Sequence, residues 1–265
     1  MKTKKNFVVF ITAFFLLAAG GGRVSAQTQS GYEIMKQADD RYTGHTAQYS
    51  LSMTINSGRG APRIRELSYY FKDFGDNEKI LMLFKNPRDV TGTSYLSFSY
   101  DNESRDDDIW LYLPALKRVR RITGSGKNDD FMGTDFTYED MGSRSLGKDT
   151  FTLQGEALID GAPCWAVEAR AKDSKDPYGR RLIHVRKDSY VISAVDYYDR
   201  QNRLLKELRV RDIRQIDGIW TAGKMEMTNV QNKHSTLIEM SNIRYNLPLD
   251  DSLFAVTNLE RGSAR

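Results

Sequence analysis

Histidines are the first side chains in this sequence that could do chemistry, because they bind metals and transfer protons near neutral pH. His45, His184 and His234 are isolated from one another, and no Cys/His or His-x-x-His spacing of a zinc site occurs. No nucleophile, base and oxyanion donor can be aligned along the chain. We therefore expect no histidine-ligated metal, no cofactor and no catalytic residue.

Carboxylates form the second candidate group, since several of them together suit a hard cation such as Ca²⁺. None of the acidic groups has the EF-hand spacing, and aspartates are also common in turns and helix caps. A cation site therefore remains open beside the turn interpretation. The groups are Asp106–Asp108, Asp129–Asp130, and Asp135 with Glu139 and Asp140.

Two basic motifs could bind anions. In "GSGK" (residues 124–127) the earlier glycine of a phosphate loop is replaced by Arg121, and Asn128 stands where Ser or Thr is needed, which excludes that motif. "KRVRR" offers a contact for a lipid headgroup or an acidic partner through Lys117, Arg118, Arg120 and Arg121. Strand alternation would divide these charges between two faces, so a solvated edge strand is an equal alternative.

Aromatic residues and methionines are the remaining chemical signal. They cluster around "FMGTDFTYEDM" (residues 131–141), which follows the basic run and a glycine-bearing loop. Flexible thioethers and amphipathic rings suit a pocket for acyl chains, although any one of them could simply be core. The predicted residues of this lipid cavity or its lid are Trp110, Tyr112, Phe131, Met132, Phe136, Tyr138, Met141, Met225 and Met227.

The elements that must position these residues are strands. After one short helical segment, "GYEIMKQADDRY", apolar residues alternate in runs of strand length separated by turn residues. We predict an antiparallel meander of about ten to twelve strands, which must curl into a barrel or half-barrel around a cavity. A glycine-bearing insertion between about Ile122 and Lys148 interrupts the meander where a lid would lie. The strand segments are "YSLSMTI", "RELSYYFK", "KILMLF", "SYLSFSY", "DIWLYL", "KRVRRI", "TFTLQ", "CWAVEARA", "RRLIHVRK", "YVISAVDYY", "RLLKELRVRD", "WTAGKMEMTNV" and "STLIEMSNIRY".

The N-terminal segment predicts export. Three lysines precede an apolar run from Phe7 to Ala19, and small residues end at Ala26, as in a secretory signal peptide cleaved before Gln27. No cysteine follows that could carry a lipid anchor, and the lone Cys164 cannot form an internal disulfide. We predict a signal peptide over residues 1–26 and a single domain over residues 27–265.

Net charge gives no support for a nucleic-acid partner. The predicted leader contains four of the 39 basic residues and none of the 35 acidic ones, so 35 of each remain after cleavage. Nucleic-acid binding normally needs a basic excess. The mature chain is predicted to be neutral overall and to bind no nucleic acid.

Motifs along nearly the whole mature chain resemble a known family. "WLYLPALKRVRRI", "FMGTDFTYEDM", "VDYYDRQNRLLKEL", "GIWTAGKMEMTN" and "DDSLFAVTNL" are similar to the outer membrane lipoprotein-sorting protein family. This family is a branch of the LolA/LolB-like superfamily that accompanies RND-type exporters. The resemblance implies an eleven-stranded half-barrel with helices over its concave face, and a hydrophobic cavity that carries acyl chains across the periplasm.

Two hypotheses follow. In the first, the protein is a periplasmic carrier that moves a lipid or lipoprotein from an RND-type inner-membrane exporter to an outer-membrane acceptor. In the second, it is an accessory module of such an exporter, its cavity is filled by side chains, and Lys117 to Arg121 contact the partner. A hydrolase acting on lipid or glycan has the least support.

Overall fold

The computed structural model describes residues 29–102 and 105–260, apart from the side chain of Glu260. The predicted signal peptide, residues 1–26, lies outside these described residues. The chain has two helices, α1 (Gly31–Asp39) and α2 (Val256–Glu260), within the described part, and neither is long and apolar enough to cross a membrane. The strands of that part are β1 (Thr46–Asn56), β2 (Arg63–Asp73), β3 (Asn77–Asn86), β4 (Ser94–Tyr100), β5 (Asp108–Leu113), β6 (Arg118–Ile122), β7 (Asp149–Ile159), β8 (Ala162–Ala171), β9 (Arg180–Arg186), β10 (Ile192–Tyr198), β11 (Leu204–Arg211), β12 (Arg214–Ile216), β13 (Ile219–Thr221), β14 (Lys224–Asn229) and β15 (His234–Tyr245).

Thirteen of these strands form one antiparallel sheet in the order β6-β5-β4-β3-β2-β1-β15-β14-β11-β10-β9-β8-β7. β6 and β7 are its edges and do not pair, so the sheet stays open, as predicted for a half-barrel. The predicted fold class is therefore confirmed, with thirteen strands in the sheet rather than about eleven. Each of the thirteen strand segments found in the sequence overlaps one strand of this sheet. "WTAGKMEMTNV" also contains the end of β13, which forms a separate hairpin with β12.

The connection between the two edges is the topological feature that positions the site. The first half of the chain builds the sheet outward from the central β1 to the edge β6, and the second half builds it inward from the edge β7 to β15, which pairs with β1. Residues 123–148, here called the crossing segment, must therefore pass from one edge of the open sheet to the other. This segment coincides with the insertion predicted between Ile122 and Lys148, and it consists of turns and short 3-10 helices.

Both faces of the sheet are covered near β3. Ile80, Met82 and Phe84 enter the main core on the concave face, whereas Leu81 and Leu83 pack on the convex face against Phe254 and Leu259 of the C-terminal segment. A strand that is buried on both sides reads as a continuous apolar run, which explains "KILMLF".

Helix α1 closes the end of the concave side next to β7. Ser30 caps it reciprocally, because its Oγ accepts a bond from the Glu33 amide at 3.2 Å and its amide donates to Glu33 Oε2 at 2.7 Å. A Cβ at Gly31 would lie 2.8 Å from the backbone nitrogen of Leu153, so only glycine lets the helix start this close to β7. Ile34 is fully buried in the core below it.

Candidate binding cavity

A cavity of about 960 Å³ lies between the concave face of the sheet and the crossing segment. This volume is at the upper end of the range of small-molecule sites, about 300–1,000 Å³. Its interior is apolar, because the inward-facing positions of β1 to β3, β11, β14 and β15 carry large aliphatic and aromatic side chains. The apolar residues that line it include Leu51, Phe71, Ile80, Met82, Phe136, Met141, Ile192, Leu208, Met225, Met227, Ile238 and Met240.

Solvent-exposed polar residues also line this cavity and mark its mouth, which we define by Lys36, Asp40, Thr43, Asp101 and Ser143. The residues of the opposite, inner part, such as Met227 and Ile238, are fully buried. The cavity thus has an apolar interior and a polar opening, which is the polarity of an amphiphile.

Methionines contribute an unusual share of the interior. Met82, Met141, Met225, Met227 and Met240 all line the cavity, and the chain has nine methionines in total. Unbranched thioethers adapt to ligands of different shape. The sequence prediction did not include Met82 and Met240. Period-two counting along β15 could have found Met240, whereas β3 is a continuous apolar run in which the inward position of Met82 is not visible.

Four of the nine predicted cavity residues line the cavity, namely Phe136, Met141, Met225 and Met227. Met225 and Met227 are two positions apart on β14 and therefore point to the same face. Three others, Phe131, Met132 and Tyr138, are residues of the crossing segment that pack in or against the main core. The ring centroid of Phe131 is 5.3 Å from that of Tyr95.

The last two predicted residues, Trp110 and Tyr112, lie on the convex face. They pack against the cluster that contains Phe254 and Leu259, and Trp110 contacts Phe98 at a centroid distance of 4.8 Å. The structure therefore does not bring Trp110 and Tyr112 together with the other seven.

The basic run lies at the open edge of the sheet. Arg118, Arg120 and Arg121 belong to β6 and are exposed, and Lys117 precedes them in a left-handed turn conformation. Arg121 is ion-paired with Asp108 on β5. None of the four basic residues lines the cavity.

The acidic and histidine motifs form no candidate metal site in the described part of the chain. In residues 29–102 and 105–260, no group of three or more His, Cys, Asp or Glu side chains is arranged to hold a metal ion. Lys127 of "GSGK" is buried and donates to the carbonyl of Asp107 at 2.6 Å. His184 is a buried strand residue of β9, and His234 pairs with Asp135.

Asp135 fastens the middle of the crossing segment to the sheet. Its carboxylate lies 2.8 and 2.9 Å from His234 Nδ1 and accepts a bond from Thr236 Oγ1 at 2.7 Å. Its carbonyl accepts a bond from Lys206 Nζ at 2.7 Å. These contacts join the crossing segment to β15 and β11, beside Phe136 in the cavity wall.

Replacing Asp135 with alanine is expected to loosen this attachment. The substitution removes two charge-assisted contacts and leaves Thr236 without its acceptor, so we expect a loss of about 2 kcal/mol in the stability of the crossing segment. Faster amide hydrogen exchange over residues 131–141, with unchanged exchange in β7 to β9, would show it. Equal exchange in the wild type and D135A would contradict the attachment.

Glu78 on β3 is part of the cavity wall, next to Ser143 of the mouth. Burial raises the pKa of its carboxyl, the nearby Asp73 and Asp101 add to this, and the hydroxyl of Ser143, which donates to Oε2 at 3.3 Å, offsets part of it. Because the folded-state pKa is raised, protonated Glu78 favours folding. This contribution is fully present below the unfolded pKa and is lost as the pH rises through the folded pKa.

The E78Q variant should therefore have a higher Tm than the wild type at pH 7. The difference should vanish well below pH 4.5, the ordinary value for a glutamate, because both proteins are then neutral at this position. E156Q is the matched control, since Glu156 is exposed and ion-paired with Lys187. A pH-independent difference between E78Q and the wild type would refute the assignment.

Comparisons with known proteins agree with this architecture. A family model described as "Uncharacterized protein" matches residues 76–261. No curated protein matches the chain. The crystal structure of a DUF1329 family protein from Desulfovibrio piger is 37% identical, covers 86% of this chain and 97% of its own, and superposes with a TM-score of 0.81.

Two further structures place the chain within a family and a fold. A putative outer membrane lipoprotein-sorting protein domain from Vibrio parahaemolyticus is 33% identical, with 87% of this chain and 98% of that chain covered and a TM-score of 0.81. A LolA superfamily protein from Nitrosomonas europaea is 17% identical over 86% of this chain and 99% of its own, with a TM-score of 0.66, and shares the fold. The chain therefore belongs to the outer membrane lipoprotein-sorting protein family, and it has the fold of the LolA superfamily.

Proposed function

We propose that this protein is a periplasmic carrier that binds the acyl chains of a lipid or lipoprotein in its cavity and moves them between an inner-membrane exporter and the outer membrane. The observation that carries the proposal is the cavity of about 960 Å³, lined by apolar side chains under the crossing segment. The name of the 33% identical relative, an outer membrane lipoprotein-sorting protein domain, supports the same class of cargo.

Burial of apolar surface supplies enough free energy for this task. Each methylene that leaves water contributes about 0.8 kcal/mol, so ten buried methylenes contribute about 8 kcal/mol, from which the cost of immobilising the chain is subtracted. Binding therefore requires no charged contact to the acyl chain. Release requires that a partner with a higher affinity binds the acyl chain, or that the crossing segment moves.

The partner in this proposal is an RND-type exporter on the inner membrane, and the acceptor lies in the outer membrane. The predicted signal peptide supports a periplasmic location. The alternative, an accessory module without a ligand, predicts a concave face that is filled by side chains, and the open volume lined by Met225, Met227 and Met240 speaks for the carrier.

Native mass spectrometry of protein purified from its own periplasm without detergent tests the proposal. A discrete, stoichiometric additional mass that is recovered as lipid after extraction is the expected result. A clean unliganded mass, together with an exporter subunit that co-purifies, would favour the accessory module instead.

A further inference from the structure

Arg41 is a cavity-lining cation without a counter-ion among the described residues. It follows helix α1, it lines the cavity beside the mouth, and its Nη1 donates to the carbonyl of Trp220 at 2.8 Å. Its Nε is buried and has no hydrogen-bond partner in the structure. No Asp or Glu within residues 29–102 and 105–260 forms an ion pair with it. The guanidinium of this cavity-lining residue therefore has at least one donor without a partner.

Two other arginines of the fold are compensated by carboxylates. Arg144 contacts three of them, and Arg181 lies 3.0 Å from Asp176. Arg65 is buried like Arg181, but it does not line the cavity and donates to the carbonyl of Met132. A desolvated cation without such partners is costly, and accordingly burial lowers the pKa of Arg41. Side chains in this situation are common where a ligand completes the site.

The surroundings of Arg41 fit a small anion. Thr221 and Tyr245 also line the cavity, and their hydroxyl oxygens are 2.7 Å apart. The cavity-lining carboxylates include Asp39 and Asp40, which precede Arg41 in the chain, and Asp40 is paired with Lys36. Glu78 and Asp107 belong to the β3 and β5 side of the sheet, whereas Trp220 and Thr221 precede β14. Strands β2, β1 and β15 lie between β3 and β14. An anion at Arg41 is thus offset along the sheet from Glu78 and Asp107.

We propose that Arg41 binds the anionic head of the cargo, a carboxylate or a phosphate, while the attached acyl chain occupies the apolar interior. This inference rests on the proposed carrier function and adds a head-group specificity to it. The planar guanidinium, with its free Nε–H and Nη–H donors, matches the two oxygens of either group. Carboxylate and phosphate share this chemistry, and they correspond to a fatty acid and to a phospholipid.

The test compares the binding of three probes that have the same chain length: palmitate, hexadecyl phosphate and hexadecanol. The wild-type protein should bind the two anions about tenfold more tightly than the alcohol, since charge-assisted hydrogen bonds to a partly buried arginine are worth about that factor. R41Q should lose this preference and keep its affinity for hexadecanol. R41K, which keeps the charge but not the fork of donors, should retain part of it.

R170Q serves as the matched control, because Arg170 is exposed, pairs with Glu168 and does not line the cavity. It should leave all three affinities unchanged. Tighter binding of hexadecyl phosphate identifies a phospholipid source, and tighter binding of palmitate a fatty acid.

Equal wild-type affinity for all three probes, or an equal loss for all three in R41Q, would overturn the role of Arg41 and leave the carrier function intact. Failure of all three probes to bind would overturn the carrier function itself, and the role of Arg41 with it.

Discussion

R144M should lower the free energy of unfolding by about 3–5 kcal/mol, the cost of removing one partner from a buried ionic network. Arg144 lies near the end of the crossing segment. Its guanidinium makes two bonds to Asp149, at 2.7 and 2.9 Å, and single bonds to Glu139 at 2.9 Å and Asp176 at 2.8 Å. Asp149 and Asp176 are buried, so neither carboxylate can recover the lost bonds from water.

The directions of the pKa shifts support this expectation. Burial by itself lowers the pKa of Arg144, but the carboxylates of Asp149, Asp176 and Glu139 outweigh it and hold the pKa above its usual value. Burial likewise raises the pKa of Asp176, but the charge of Arg181, the Tyr178 amide and Arg144 outweigh it and lower the pKa. A lowered folded-state pKa means that the contribution of Asp176 is present above the unfolded pKa and is lost as the pH falls through the folded pKa.

Chemical denaturation of R144M and the wild type measures the effect. The destabilisation should shrink on acidification below pH 3.8, the ordinary pKa of an aspartate. A protonated Asp176 is neutral and therefore loses little when the cation of Arg144 is removed. The control is R170M, since Arg170 forms an exposed pair with Glu168 and should contribute less than about 1 kcal/mol. A loss in R144M no larger than that in R170M would show that the network does not hold the crossing segment.

M225E should lower the affinity for acyl-chain probes by at least about 100-fold and leave the protein folded. Met225 lies on β14 between Val210 of β11 and Ile238 of β15, and its partly exposed side chain lines the cavity. In the empty cavity a carboxylate at this position can stay hydrated, so folding is retained. A bound chain would strip that water at a cost of several kcal/mol, of which about 2.7 kcal/mol already corresponds to 100-fold.

Titration with hexadecanol, an uncharged probe, measures this effect without any contribution from head-group charge. M225L is the matched control, because it keeps the volume and polarity of the site and should bind as the wild type does. E226Q is the second control, since the neighbouring Glu226 faces the other side of β14 and pairs with Arg211. Equal binding by M225E and M225L would place the acyl site elsewhere on the protein.

The sequence by itself determined the strands and the position of the crossing segment. Strand periodicity is local, because alternate side chains point to opposite faces whatever the strand pairs with. "YSLSMTI" therefore predicted β1 correctly, with Leu51, Met53 and Ile55 buried. The glycine-bearing segment between β6 and β7 was also visible, because no alternation runs through it.

The sequence could not decide which face of β5 turns toward the cavity. Every residue from Ile109 to Leu113 is apolar. In such a run both faces of the strand are apolar, so the sequence does not show which face points into the core. The packing of the C-terminal segment on the convex face makes Trp110 and Tyr112 convex residues and leaves Ile109 and Leu111 in the main core. Only this long-range contact separates them from the residues of the cavity.

Only the tertiary structure revealed the polar contacts that fix the crossing segment and leave Arg41 open to the cavity. Asp135 and His234 are 99 residues apart, and Arg144 and Asp176 are 32 apart, so no spacing along the chain predicts either pair. The contact of Arg41 with the Trp220 carbonyl spans 179 residues. Such pairs exist because the sheet brings distant strand ends together, whereas the apolar pattern that builds the sheet is present in every short stretch of the sequence.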